Sequence, residues 1–263
     1  MIFERLARAL HDDVPVALVT RLNGLHAGAK LLVLEDEAFG DLGTPGLNVA
    51  AAGEARAKLA VGETGMRSFG EDGEPIGVEV NVFIASYAPK PDMYVFGAID
   101  FSRAMARIGK YLGYRVTVID ARPVFATRQR LPDADEIVVS WPDEFLQTAA
   151  VDERTAIIVL THDVKFDIPL LQVALRTPAG YIGAMGSRRT HANRVEALRE
   201  AGVTDPELAR ISAPIGLDLG ARTPEETAIS IAAEIVALRE GRRGGRLSDG
   251  TLPVHNERAA AAS

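Results

Sequence analysis

Hydrophobic and polar residues recur along residues 1–86 in short periods that predict a small α/β domain. Ile2, Leu6 and Leu10 stand four positions apart among charged neighbours, which indicates an amphipathic helix. The rest of this region is expected to form strands at 14–20, 30–36, 66–70 and 78–86 and an alanine-rich helix at 48–62.

The pattern changes after residues 87–92, which contain two prolines, lack hydrophobic periodicity and are expected to be a linker. Residues 93–241 then alternate short apolar runs with amphipathic segments. Strands are expected at 93–97, 114–120, 136–140, 156–162, 180–186 and 209–215, and helices at 101–113, 142–150, 166–176, 187–201 and 224–241. Strands that alternate with helices predict a Rossmann-like, doubly wound parallel sheet. Residues 242–263 are polar and rich in helix breakers, and we expect a disordered tail.

Composition narrows the function classes. Acidic residues outnumber basic ones by 36 to 29, giving a net charge of -7 that disfavours nucleic-acid partners. The chain contains no cysteine, which excludes disulfides, thiolate nucleophiles and Cys-type metal sites. Glu4, Arg5 and Arg8 interrupt any signal-peptide core, and no apolar run approaches the roughly 20 residues of a membrane span. We therefore expect a soluble cytoplasmic protein without a membrane partner.

The first candidate ligand site is the turn after the strand at 93–97. A dinucleotide-binding turn needs small residues so that the backbone can approach a diphosphate at a helix N-terminus. Gly97 fits the first position of that motif, but Ile99 occupies the second glycine position and would intrude on the diphosphate. Asp120 ends the next strand near the spacing of a ribose-binding acid, roughly 20 residues on, and Arg122 could meet a phosphate. Alternatively, Gly97 only makes a tight turn and Asp120 orders a loop, and Ile99 argues against ordinary NAD(P) binding.

The second candidate is the strand-to-helix junction at 183–194. Its small and capping residues, followed by cations, are Gly183, Gly186, Ser187, Arg188, Arg189 and Arg194. Free N–H groups, a positive helix end and guanidinium groups suit an anionic ligand. The alternative is a capped helix whose arginines are merely solvated. This junction gives the strongest anion-site signal in the sequence.

Two further segments lie where ligands of open α/β sheets bind, beyond the carboxyl ends of the strands. Thr161, His162 and Asp163 lie at the C-terminal end of a predicted strand and could line a pocket. His162 and Asp163 could also act as acid and base, bind a metal, or order the loop. Gly216 belongs to the loop at 212–226, which either shapes a pocket or simply connects to the last helix.

Two long motifs carry a family resemblance. The segments YIGAMGSRRTHANRVEALREAGV and ISAPIGLDLGARTPEETAISIAAEIVAL, together with VLTHDVKFDIPLLQVAL and VTVIDARPVFAT, resemble the XdhC/CoxI family of accessory proteins of xanthine dehydrogenase and CO dehydrogenase. The resemblance covers most of residues 93–241, and more loosely residues 1–86.

This resemblance implies a chaperone that binds the molybdenum cofactor, a pterin dithiolene often extended by a nucleotide. It further implies sulfuration of the cofactor by a cysteine desulfurase partner, delivery to a molybdenum hydroxylase apoenzyme, and a homodimer. A nucleotide-dependent oxidoreductase using NAD(P) or flavin, or a non-catalytic partner-binding subunit, is the alternative.

The sequence departs from the family pattern at two loops. Residues 98–100 read Ala-Ile-Asp where family members carry a glycine-rich turn followed by His. The loop at 41–46, Asp-Leu-Gly-Thr-Pro-Gly, either cradles a ligand or turns the chain, and many family members carry a Cys in this region. Without any thiol, this chain cannot hold molybdenum or sulfur through cysteine.

Overall fold

A computed structural model describes residues 2–77, 79–161 and 163–251. The chain divides between Lys90 and Pro91 into two compact units. This boundary lies within the proline-containing segment at 87–92. Among the described residues no helix combines the length and apolarity needed to cross a bilayer.

The first unit is an antiparallel sheet with one helix on each face. Its elements are α1 (Ile2–His11), β1 (Val16–Arg21), β2 (Lys30–Val33), β3 (Ala38–Gly40), α2 (Pro45–Val61), β4 (Gly65–Phe69) and β5 (Val80–Tyr87). The strand order is β3-β2-β1-β5-β4. Side chains alternate across β1, so that Ala17 and Val19 join the core under α2 while Val16 and Leu18 pack on the α1 side.

The second unit contains a six-stranded sheet with parallel pairing throughout. Its strands are β6 (Asp92–Phe96), β7 (Arg115–Ile119), β8 (Glu136–Val138), β9 (Ala156–Val159), β10 (Tyr181–Ala184) and β11 (Ile211–Ser212). From one edge of the sheet to the other, the strand order is β8-β7-β6-β9-β10-β11. When the six strands are numbered along the chain, this order is 3-2-1-4-5-6, which is the order of dinucleotide-binding folds. The predicted Rossmann-like fold class is therefore confirmed.

Helices cover both faces of this sheet. They are α3 (Asp100–Tyr111), α4 (Pro142–Thr148), α5 (Val164–Ala174), α6 (Arg188–Glu200), α7 (Asp205–Leu208) and α8 (Pro224–Arg239). Helices α3 and α8 pack against each other over one apolar core, whereas α4, α5 and α6 pack in series over the other. Thr223 caps α8 by accepting the Glu226 N–H at 3.2 Å, as the Thr-Pro sequence predicts.

The structure corrects several element boundaries. The strand expected at 30–36 ends at Val33, because Leu34 N–H bonds to the Glu37 carbonyl in a turn that leads into β3. The strand expected at 209–215 shrinks to Ile211–Ser212, since Pro214 has no N–H for the ladder. Beyond α8, residues 242–251 contain one short 3-10 turn at Leu247–Asp249, and the rest of the predicted tail lies outside the described residues.

Candidate functional site

The parallel sheet has one topological switch point, between β6 and β9, where the connections run in opposite directions. Ligands of doubly wound folds bind in the crevice beyond the carboxyl ends of the strands at such a point. A cleft of about 530 Å³ opens there. It is lined by Ile99, Arg122, Leu160, Thr161, Asp163, Val164 and Phe166. We call it the switch-point cleft.

Gly97 makes the tight turn between β6 and α3. Its φ is +102°, and an added Cβ would stand 3.0 Å from Thr161 Cγ2 and 3.3 Å from Thr161 N. Only glycine accommodates this turn without strain or movement of the neighbouring loop. Ser102 closes the turn by donating its hydroxyl to the Gly97 carbonyl, and it accepts the Ile99 N–H at 3.3 Å. Ile99 lines the cleft, as expected from its place in the motif.

Asp120, at the end of β7, is buried and engaged by its own chain. Its carboxylate accepts the Ala98 N–H at 2.7 Å and two Arg122 guanidinium N–H groups at 2.9 and 2.8 Å. Burial by itself raises the pKa of Asp120, but the hydrogen bonds from Arg122 and Ala98 outweigh it and lower the pKa below the ordinary 3.8. A ribose hydroxyl would have to displace these donors, which disfavours the NAD(P) interpretation of Asp120.

The loop after β9 contributes hydroxyl and carboxylate groups. Thr161 donates its hydroxyl to Oδ1 of the buried Asp167. Asp163 caps α5 by accepting the Lys165 N–H at 3.0 Å, so the helix begins two residues earlier than the sequence pattern predicts. His162, a candidate acid or base, lies outside the described residues.

The N-terminus of α6 has the features expected of an anion-binding end. Gly186 precedes it with a φ of +146°, and Ser187 caps it by accepting the Thr190 N–H at 3.1 Å. Arg188 and Arg189 in the first turn are exposed. The free N–H groups of a first helical turn carry partial positive charge that these arginines reinforce.

Gly183 and Gly216 are required by close packing. Gly183 lies within β10, where an added Cβ would stand 2.5 Å from Ile215 Cδ1 and 2.6 Å from Tyr181 Oη. Gly216 has a φ of +93° and would place a Cβ 2.5 Å from Ser230 Oγ. Packing thus accounts for both glycines, and a ligand role for either stays a prediction.

Arg194 and Asp167 form a buried pair that sequence reasoning does not reveal. Arg194 Nη2 donates to Asp167 Oδ2 at 2.7 Å and to the Met185 carbonyl at 3.0 Å, while both charged side chains are almost fully buried. The sequence places Arg194 more than one helical turn beyond the exposed arginine pair, and nothing local shows that it turns inward. Because Asp167 also binds Thr161, this pair links the loop after β9 to α6.

An aromatic cluster borders the switch-point cleft. The Phe166 and Trp141 rings lie 5.2 Å apart, and Lys165 Nζ stands 4.7 Å from the Trp141 ring. Phe166 itself lines the cleft. A planar conjugated ligand can stack on such a surface.

The glycine-rich loop of the first unit serves as a helix cap. Thr44 accepts the Leu47 N–H at 3.3 Å at the start of α2, and Asp41 accepts the Gly43 N–H at 2.9 Å. The loop thus turns the chain, and a ligand role for it stays untested. In the described ranges no three acidic or histidine side chains converge on a potential metal position.

The second unit is therefore a Rossmann-type binding unit with a cleft at its switch point. A family model described as the XdhC Rossmann domain matches residues 93–235. Since this match covers more than half of the chain, the chain belongs to the XdhC family. The predicted family membership is confirmed.

Two curated relatives are informative. A Bacillus subtilis protein, described as a probable subunit of xanthine dehydrogenase, is 32% identical over 160 residues, which are 61% of this chain and 46% of the relative. The protein PaoD of Escherichia coli, described as a molybdenum cofactor insertion chaperone, is 29% identical over 163 residues, 62% of this chain and 45% of its own length. The chain spans less than half the length of these relatives.

A solved structure supports the fold. A protein from Bacillus halodurans, described as a xanthine dehydrogenase, matches with a TM-score of 0.66 and 24% identity over 90% of this chain and 66% of that chain. At this identity the match shows a shared fold.

Proposed function

We propose that this chain binds the molybdenum cofactor in the switch-point cleft and acts as its insertion chaperone for a molybdenum hydroxylase of the xanthine or CO dehydrogenase type. The observation that carries the proposal is the cleft itself, about 530 Å³ at the carboxyl edge of an XdhC-family Rossmann sheet. The description of PaoD as a molybdenum cofactor insertion chaperone supports this choice of ligand.

The chemistry of the cleft fits a pterin. Ile99 and Leu160 supply apolar walls, and Phe166 supplies an aromatic ring against which a flat heterocycle can pack. Arg122 and Asp163 place one cation and one carboxylate on the rim, where they can pair with the amide-like edge of the pterin. This volume lies within the roughly 300–1,000 Å³ of pockets that enclose small-molecule ligands.

The residues of this chain hold and shield the cofactor, while the cofactor supplies its own metal and dithiolene when bound. Thr161 offers its hydroxyl oxygen, which is already oriented by Asp167. Gly97 lets the turn after β6 lie close to Thr161, because a side chain at this position would collide with Thr161. Since the chain has no cysteine, its own residues offer no thiolate ligand to the metal.

Three parts of the proposal come from the family resemblance alone. They are a cysteine desulfurase that sulfurates the bound cofactor, a homodimeric assembly, and a nucleotide form of the cofactor. Ser187, Arg188 and Arg189 are assigned to the phosphate of that ligand. A cytoplasmic location, expected from the composition of the chain, is a fourth part. Each of these statements can be wrong while the cofactor still binds in the switch-point cleft.

The test is the pterin content of the purified protein and of a cleft-blocking variant. Val164 lies at the first turn of α5, exposed and on the wall of the cleft. Val164→Trp should fill the entrance and abolish copurification of pterin and molybdenum from cells that make the cofactor. Ile229→Trp is the matched control, because Ile229 is another exposed β-branched residue on a helix of the same unit.

Retention of pterin by wild type and by Ile229→Trp, with loss in Val164→Trp, supports the proposal. Absence of pterin and molybdenum from the wild-type protein contradicts cofactor binding. Equal pterin content in all three proteins contradicts the location of the ligand in this cleft.

A further inference from the structure

The guanidinium of Arg194 has one nitrogen without a partner among the residues that the structure describes. Nη2 donates to Asp167 and to the Met185 carbonyl, but Nη1 is buried and makes no hydrogen bond to any described residue. A buried donor on a charged group that stays unsatisfied costs more than an ordinary lost hydrogen bond. Such a group in a native protein calls for an acceptor.

The surroundings of this nitrogen point to the N-terminus of α6. Nη1 lies close to the turn before this helix, 3.8 Å from the position of an added Cβ at Gly186, and Thr190 Cγ2 lies 3.1 Å from the same position. A second cleft, of about 190 Å³, is lined by Arg194, Arg189 and Thr190 and also by the carboxylate residue Asp167, which is already paired with Arg194. Val164 borders both this cleft and the switch-point cleft.

We propose that Nη1 of Arg194, the first-turn N–H groups of α6 and Arg189 form a phosphate subsite next to the switch-point cleft. The ligand class is a phosphate monoester or diphosphate whose organic part lies in the switch-point cleft. The proposal of this subsite rests on the proposed function only for the identity of the organic part of the ligand. The N–H and guanidinium donors of the subsite select the phosphate by themselves.

The size of the second cleft supports a phosphate group over a whole ligand. A volume of about 190 Å³ is below the roughly 300–1,000 Å³ of pockets that enclose complete small molecules. A phosphate is compact and offers several acceptor oxygens. It can therefore accept from Nη1, from helix N–H groups and from a second arginine at the same time.

The charge balance also favours an anion. Asp167 neutralises the single charge of Arg194 but accepts from Nη2, so that Nη1 keeps its donor capacity. Arg189 is exposed at the rim and the helix end adds partial positive charge. Asp167, held by Thr161 and Arg194 together, acts as the positioning residue that keeps the guanidinium aimed at the turn.

The test uses inorganic phosphate as the probe and Arg194→Lys as the variant. A lysine at this position keeps the charge and can still pair with Asp167, but it provides no second nitrogen toward the turn. We expect phosphate affinity to fall roughly tenfold or more, the usual loss for one charge-assisted hydrogen bond. Arg199→Lys is the control, since Arg199 lies on the same helix in an exposed ion pair with Asp205; it should bind like wild type.

A second readout needs no variant. In wild-type protein, the guanidinium NMR signals of Arg194 should shift on titration with phosphate, while those of Arg199 stay in place. Absence of phosphate binding by wild type, unchanged affinity in Arg194→Lys, or an unshifted Arg194 signal overturns the subsite. Saturable phosphate binding in a protein that never carries pterin refutes the proposed cofactor but leaves the subsite standing. Pterin retention in a protein that does not bind phosphate refutes the subsite but leaves the proposed cofactor standing.

Discussion

Arg194 and Asp167 form an ion pair of 2.7 Å between side chains that are only 3% and 4% exposed. The pair joins α6 to α5, and the Thr161 hydroxyl extends it to the loop after β9. The two loops that flank the carboxyl edge of the sheet are thereby held by one buried polar network. Asp167 accepts from both Thr161 and Arg194, and shared partners of this kind favour a single arrangement of the site.

Breaking this pair should destabilise the protein strongly. Asp167→Ala leaves the Arg194 charge buried without its counterion, which typically costs about 3–5 kcal/mol. Asp205→Ala is the control, because its pair with Arg199 is 56% and 76% exposed and should contribute at most about 1 kcal/mol. Urea denaturation measures both free energies of unfolding. If Asp167→Ala and Asp205→Ala lose similar free energies of unfolding, the buried pair contributes no more to stability than the exposed pair.

Gly97→Ala should be more damaging than Gly113→Ala. Both glycines have positive φ, of +102° and +88°, so an alanine is strained at either position. Only at Gly97 does the added Cβ also meet Thr161, at 3.0 Å, whereas Gly113 faces open space. The strain alone costs roughly 1–3 kcal/mol, and we expect Gly97→Ala to exceed Gly113→Ala in thermal and urea denaturation. Equal effects would contradict the close approach of the two loops.

Asp120 should make the stability of the fold depend on pH in the acidic range. Its pKa in the folded protein lies below 3.8, so its ionised form adds stability above that value, and this contribution is lost as pH falls through the folded-state pKa. Asp120→Asn should therefore be destabilised near about pH 7, and the difference from wild type in unfolding free energy should shrink as pH falls below 3.8. Denaturation at about pH 7 and at successively lower pH values below 3.8 checks this. If wild type and Asp120→Asn differ in unfolding free energy by the same amount at every pH, the loss comes from packing and not from the charge of Asp120.

His191 should destabilise the fold as pH falls through a higher range. Burial and the nearby charge of Arg194 lower the pKa of His191 below 6.5, so folding opposes protonation of this ring. The stability lost through His191 should appear as pH falls below 6.5, because the unfolded chain binds the proton more readily. His191→Gln should flatten the decline in unfolding free energy between about pH 7.5 and about pH 5. If the substitution leaves the pH dependence of the unfolding free energy unchanged, a group other than His191 causes the decline.

The fold can be predicted from the sequence where periodicity is strong. The helix predicted at 224–241 is observed at Pro224–Arg239, because Thr223 and Pro224 give a clear start and the apolar pattern is long. The strand β3 at Ala38–Gly40 escapes prediction, since a three-residue strand with exposed ends has no alternation to detect. The four-residue α7 escapes it for the same reason of length.

The candidate site is predictable in its parts but not in its assembly. Local motifs locate Gly97, Thr161 and the start of α6, because turns and helix caps have local sequence signals. The ion pair of Arg194 with Asp167 joins residues far apart in the chain, and no local pattern reports it. Nor can the sequence distinguish a glycine required by packing, such as Gly183 beneath Ile215, from one that admits a ligand.

Native mass spectrometry of the wild-type protein tests the central claim most directly. The protein is isolated once from cells that make the molybdenum cofactor and once from cells that cannot. We predict a bound mass that fragments to a pterin in the first sample and is absent from the second, and that is also absent from Val164→Trp isolated from the first cells. A wild-type spectrum that shows the bare polypeptide in both samples would contradict the account.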